Sequence, residues 1–133
     1  MRVCTFNVHH WSDAQGRSNV DAAIDLLGSL DCDVVALQEV PREGAALERV
    51  AESLGMHAVM GAESWLGNAL LSRFALEETE TVAITTGYEE GRCAVMARVA
   101  APGGAVAVCA THLDPMYEVT RLRQVEKLLA ALS

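Results

Sequence analysis

The stretch "CDVVALQEV", Cys32 to Val40, constrains the fold more than any other part of the chain. Its apolar run begins at Val34 and is stopped by Pro41. A run this short, continuous and rich in Val reads as a central strand covered on both faces. Such a strand requires packed layers above and below it. Yet it ends in a carboxylate, Glu39, and carboxylates are seldom buried without a partner. Glu39 is therefore either the first solvated residue after the strand or a group placed there for chemistry.

The neighbouring segments supply the layers. "RVCTFNV" is a strand that runs into a polar stretch, "HHWSDAQGRSN". "NVDAAIDLLGSL" places Val20, Ala23, Ile24, Leu27 and Leu30 at helical spacing, with Ser18 or Asn19 as N-cap. "EGAALERVAESLG" is a second amphipathic helix, with Leu47, Val50, Ala51 and Leu54 on one side and Gly55 as its stop. After Gly55 come short β-like segments: "HAVMGA", "GNALLSRF", "LEETETVAIT", "RCAVMARVA" and "AVAVCATHL". "APGGA" between the last two is a hairpin signal. "YEVTRLRQVEKLLAALS" closes the chain as a helix whose Val119, Leu122, Val125, Leu129 and Leu132 form one apolar stripe. This order predicts an α+β layered fold with a mixed sheet, mostly antiparallel in its later strands. Residues 1–133 carry no repeat and no linker, so one domain is the simplest organisation.

Composition excludes several function classes. With 10 basic and 18 acidic residues the net charge is −8, against the clustered Lys and Arg that hold long nucleic acids. Contact with a single phosphate remains compatible with that charge, and a negative field favours a cation. No run approaches the roughly 20 apolar residues of a membrane span, and no secretory leader is visible, so the expectation is a cytoplasmic protein. Cys4, Cys32, Cys93 and Cys109 form no CxxC pair and read as reduced, mostly buried thiols. No glycine-rich phosphate loop marks a nucleotide-binding domain of the usual kind.

Polar residues gather at strand ends. Asn7 lies near the end of the first strand, Glu39 ends the second, Asn68 opens "GNALLSR" and His112 ends the "VCATHL" strand. Strand ends are where ligand sites form in sheets with crossover helices. A carboxylate with a carboxamide is a hard oxygen pair that suits Mg²⁺ or Mn²⁺. A histidine beside it can hold a phosphate oxygen. Taken singly, each residue has a plainer reading: Asn7 and Asn68 as turn formers, Glu39 as a solvated strand end, His112 as a satisfied strand-end histidine.

Together, "VCTFNVHH", "DVVALQEV", "GNALLSR" and "ATHLD", in that order, resemble the N-terminal half of the endonuclease/exonuclease/phosphatase superfamily, the DNase I-like fold. The resemblance implies one half of a two-layer β-sandwich with helices on its outer face. It implies a Mg²⁺-dependent (or Mn²⁺-dependent) phosphoesterase acting on a phosphate ester. Asn7 and Glu39 would hold the metal, and His112 would act at the scissile phosphate. Arg92 would lie close to the phosphate, and Asn68 near the substrate groove. "NVHH" is similar to a subgroup of the family, and as zinc ligands His9 and His10 are poorly spaced, since neighbours on an extended chain point apart.

The family's "GDxN" and "SDH" motifs do not occur in the 133 residues, and Asp114 is no substitute by pattern. Because the resemblance assigns the second sheet largely to the family's other half, the inner face of the first sheet is expected to lack its cover. A homodimer or a complementing C-terminal half would then cover it. The alternative to an enzyme is a non-catalytic half-domain that assembles through that face.

Overall fold

The structure is a computed structural model that describes residues 1–87 and 91–133. Its elements follow in the order β1 (Val3–Asn7), α1 (Val20–Leu30), β2 (Val34–Pro41), α2 (Ala46–Leu54), β3 (His57–Ala62), β4 (Leu66–Ser72), β5 (Leu76–Ala83), β6 (Cys93–Ala101), β7 (Gly104–Thr111) and α3 (Glu118–Leu132). The strands make a mixed four-stranded sheet, β1-β2-β4-β3, and an antiparallel three-stranded sheet, β5-β6-β7. In the first sheet β1 and β2 are parallel and the other pairs antiparallel. The α+β class expected from the sequence is found, and two sheets pack as a sandwich where one half of such a sandwich was expected.

Strand alternation divides the first sheet's side chains between two cores. Val35 and Leu37 of β2, with Ala69 and Leu71 of β4, face Val20, Ala23 and Leu27 of α1 and Leu47, Val50 and Ala51 of α2. Val34 and Leu70 point the other way and meet Val95, Ala97 and Val99 of β6 and Ala110 of β7. The two-sided burial read from "DVVALQ" therefore has helices on one side and the second sheet on the other. This corrects the expectation that the first sheet's inner face lies uncovered. The segments "LEETETVA", "CAVMARVAA" and "GAVAVCAT" build a second sheet within these residues. At Gly61 the sheets approach so closely that an added Cβ would lie 2.1 Å from Thr81 Oγ1.

The last helix departs from its pattern. Val119, Leu122, Leu129 and Leu132 are exposed, while Gln124 is fully buried. Gln124 Oε1 accepts the Asp114 amide at 2.8 Å, and Arg121 donates to the Asp114 carbonyl at 3.1 Å. Polar bonds thus orient α3, and its apolar stripe faces away from both cores. Among the described residues no helix is long and apolar enough to cross a membrane.

The position of the inter-sheet core is testable by mutation. Leu70→Ala should lower unfolding free energy by about 2–5 kcal/mol, the range for emptying a packed Leu site. Leu129→Ala on the exposed face of α3 should change it by less than about 1 kcal/mol. Chemical denaturation of both variants checks the contrast.

Candidate functional site

Chain direction brings the chemically interesting residues to one edge of the sandwich. β1 and β2 run parallel, so Asn7 and Gln38 are paired at their C-terminal ends. β4 runs antiparallel to β2, so Gly67 and Asn68, near its start, lie opposite Val40 and Gln38. In the other sheet the start of β6 pairs with the end of β7, Ala94 opposite Thr111. Asn68 Nδ2 ties the two sheets together at this edge by donating to the Cys93 carbonyl at 2.9 Å.

Glu39 reaches the edge through a register shift. β2 loses its regular pairing with β4 between Gln38 and Val40, and Glu39 adopts a left-handed φ of 56°. In an unbroken strand Glu39 would follow Val35 and Leu37 onto the helix side and bury its charge. The extra residue instead lets Val40 take that core position and turns Glu39 out of the alternation. A left-handed residue other than Gly costs on the order of 1–2 kcal/mol, so this placement is held against local preference.

A second strained segment lies beside it. His9, His10 and Trp11 all have positive φ, at 48°, 57° and 58°. This turn sinks Trp11 into the helix-side core. It also stacks the His9 and His10 rings, with centroids 5.0 Å apart and planes at 9°. The expectation that adjacent histidines point apart fails here because the backbone is left-handed, not extended. His10 Nε2 lies 3.2 Å from Glu39 Oε2.

The cleft at this edge has a volume of about 280 Å³, and Glu39, Asn68, Arg92 and His112 all line it. Asn7 is set behind Glu39, donating from Nδ2 to Glu39 Oε1 at 2.8 Å while its Oδ1 accepts the His9 amide at 2.9 Å. His112 Nδ1 lies 4.0 Å from Glu39 Oε1. Arg92 Nη1 donates to the His112 carbonyl at 3.4 Å, and the Arg92 amide donates to Thr85 Oγ1 at 2.7 Å. Two buried polar atoms here, Asn68 Oδ1 and Arg92 Nε, have no hydrogen-bond partner among the described residues. Burial, and then the Arg92 charge, hold His112 below the ordinary histidine range against the opposing pull of Glu39. A neutral imidazole can donate from one nitrogen and accept at the other.

All five residues singled out in the sequence converge here, Asn7 indirectly through Glu39. Asp114 does not: it is buried, and its Oδ1 accepts the Met116 and Tyr117 amides ahead of α3 at 2.8 and 2.6 Å. The cysteines are free thiols. Burial pushes the Cys93 and Cys109 thiols up, away from reactivity. Sequence reasoning missed Trp65, an exposed ring at the cleft mouth. The only signal for it was an aromatic three residues ahead of Asn68.

The sequence model of the Endonuclease/Exonuclease/phosphatase family matches residues 4–133. The chain belongs to this family. No curated protein matches it by sequence. Among solved structures, an endonuclease/exonuclease/phosphatase from Beutenbergia cavernae DSM 12333 is similar with a TM-score of 0.78 at 25% identity, over 99% of this chain and 43% of that one. D. rerio TDP2 complexed with single strand DNA product is similar with a TM-score of 0.79 at 18% identity, over 99% and 54%. ANGEL2, a 2′,3′-cyclic phosphatase in complex with adenosine-2′,3′-vanadate, gives 0.74 at 21%, over 97% and 46%. The chain thus spans about half the length of these structures.

In this Endonuclease/Exonuclease/phosphatase family member, the donor set can be tested against a divalent cation. Glu39 has only His10 and His112 within ion-pairing distance among the described residues, so no Lys or Arg neutralises it. Mg²⁺ is commonly held by one or two carboxylates, waters and substrate phosphate. The Glu39–Asn7 pair fits that pattern, although the carboxamide here presents its nitrogen to Glu39. Among the described residues no group of three or more His, Cys, Asp or Glu is arranged to hold a metal alone.

The bulge makes a prediction of its own. Glu39→Gly and Glu39→Val both delete the carboxylate, so their difference isolates the backbone. Gly should be the more stable by about 1–2 kcal/mol, because a β-branched residue resists positive φ. In a regular strand the order would reverse, since Val is the better strand former. Chemical denaturation of the two variants decides between these arrangements.

Proposed function

We propose that the cleft is the phosphate-ester site of a Mg²⁺-dependent phosphoesterase. The observation that carries this is the convergence of an unneutralised carboxylate, Glu39, with Arg92 and His112 across the two sheets. Glu39 and Asn7 are the residues to hold the cation, which supplies charge neutralisation at a phosphate oxygen. Arg92, which lines the cleft, is the residue to donate to a non-bridging oxygen. His112, held neutral, donates to another oxygen and adds no charge. Hydrolysis adds a water oxygen to phosphorus as the ester P–O bond breaks and the alcohol leaves with a proton. Among the described cleft residues Glu39 is the only carboxylate, and it is assigned to the cation. The net charge of −8 favours a substrate with few phosphates over a long nucleic acid.

A second reading, a half-domain that needs a covering chain, is favoured by two surfaces. β5 is a guarded edge: it carries Glu77, Glu78 and Glu80 and a register shift between Glu77 and Glu80. β7, at the opposite edge, has the sequence GAVAVCAT, without a charge or an irregular register. The apolar stripe of α3 is exposed as well. The occupant we infer is a polypeptide segment that adds a strand to β7, and the greater length of the solved relatives supports it.

One experiment addresses both readings. Turnover of bis(p-nitrophenyl) phosphate is measured with Mg²⁺ and with chelator, alongside mass by light scattering. The enzyme reading expects Mg²⁺-dependent turnover, lost in Glu39→Gln and reduced about 10²–10³-fold in kcat by Arg92→Ala. Absence of turnover in a folded protein would favour the half-domain reading. Turnover unaffected by Glu39→Gln would sink the first.

A further inference from the structure

We infer that Trp65 is a stacking platform that selects phosphate esters carrying a planar ring close to the phosphate. The inference rests on reading the cleft as a phosphate-ester site. Trp65 lies between β3 and β4, where its carbonyl accepts the Arg42 amide at 2.8 Å and so anchors its backbone to the end of β2. A Trp side chain normally buries most of its large surface, yet this one is 56% exposed. Its ring is steadied on one side by the His10 ring, at 4.9 Å and 63°, an edge-to-face contact.

Position gives the exposed ring its meaning. Trp65 lines the cleft that holds Glu39, Arg92 and His112. It also lines a second groove with Pro41, Arg42, Glu43 and Ser64. The ring thus borders both recesses, beside the groups that would hold a phosphate. A substituent on a phosphate held in this cleft has Trp65 among its neighbours. The surface it finds there is flat and apolar, suited to a nucleobase or an aryl group and poorly suited to a polyol. The cleft's modest volume, about 280 Å³, matches one phosphate and part of one substituent.

The chain has two tryptophans, and Trp11 is buried in the helix-side core, so fluorescence quenching reports on Trp65. The intact protein with Mg²⁺ is titrated with adenosine 5′-monophosphate, phenyl phosphate, ribose 5-phosphate and inorganic phosphate, with binding measured by calorimetry in parallel. Adenosine 5′-monophosphate should quench the exposed tryptophan and bind roughly 5- to 150-fold more tightly than ribose 5-phosphate, the range that stacking one base supplies. Trp65→Leu should bring the two affinities together and so erase that advantage, while Trp65→Phe should keep part of it. Phenyl phosphate matching adenosine 5′-monophosphate would assign the platform to aryl groups in general, and a clear preference for the nucleotide would assign it to bases. Equal affinity for ribose 5-phosphate and adenosine 5′-monophosphate would overturn the platform while leaving the phosphate site intact. Failure of all four to bind, inorganic phosphate included, would overturn the phosphate-site reading and this inference with it.

Discussion

One extra residue in β2 organises the functional edge of this protein. The core on the helix side needs an apolar residue after Leu37, and the register shift delivers Val40 there in place of Glu39. A buried, unpaired carboxylate would cost several kcal/mol. The bulge avoids that cost by accepting a single left-handed residue instead. Glu39 is thereby released to meet Asn7 from β1, His10 from the strained turn and His112 after β7. Packing demand and site geometry are consequences of the same register shift.

The second sheet does two jobs. It covers the inner face of β2 and β4 with Val95, Ala97 and Val99. By starting β6 and ending β7 at the same edge, it also brings Arg92 and His112 opposite Glu39. Asn68 joins the sheets where they must stay in register, through its bond to the Cys93 carbonyl. Strain is concentrated in the same neighbourhood, at His9, His10, Trp11 and Glu39. Such conformations persist only where surrounding structure over-determines them, and they cluster at functional sites.

Much of this was legible in the sequence, and the exceptions have physical causes. Helix and strand periods located the seven strands and three α-helices, but not the 3-10 turn His9–Trp11, and Gly55 ends α2 with a φ of 63° as a C-terminal glycine should. The hairpin at "APGGA" is closed with Gly103 at a φ of 93°. Glu39 could be recognised as the end of a strand, but not as a bulge, because a bulge exists only in the register with a partner. The His9 and His10 stack was missed since their left-handed backbone has no Gly to announce it. The stripe of α3 was read correctly as a pattern, but periodicity does not say which face is docked, and here the buried position is Gln124. The second sheet's strands were recognised without being assigned as the first sheet's cover, a choice set by long-range packing. Trp65 is invisible to pattern reading because it belongs to neither core.

The proposed divalent-cation site depends on the register shift in β2 that brings Glu39 to the edge shared by the two sheets. Paramagnetic broadening by substoichiometric Mn²⁺ tests it directly in a backbone-assigned NMR spectrum. The account predicts selective broadening of the amides of Asn7, Glu39, Val40, Asn68 and His112, reversed by excess Mg²⁺ and absent in Glu39→Gly. Broadening centred on the glutamates of β5, or spread over the acidic surface with no preference for this edge, would contradict it.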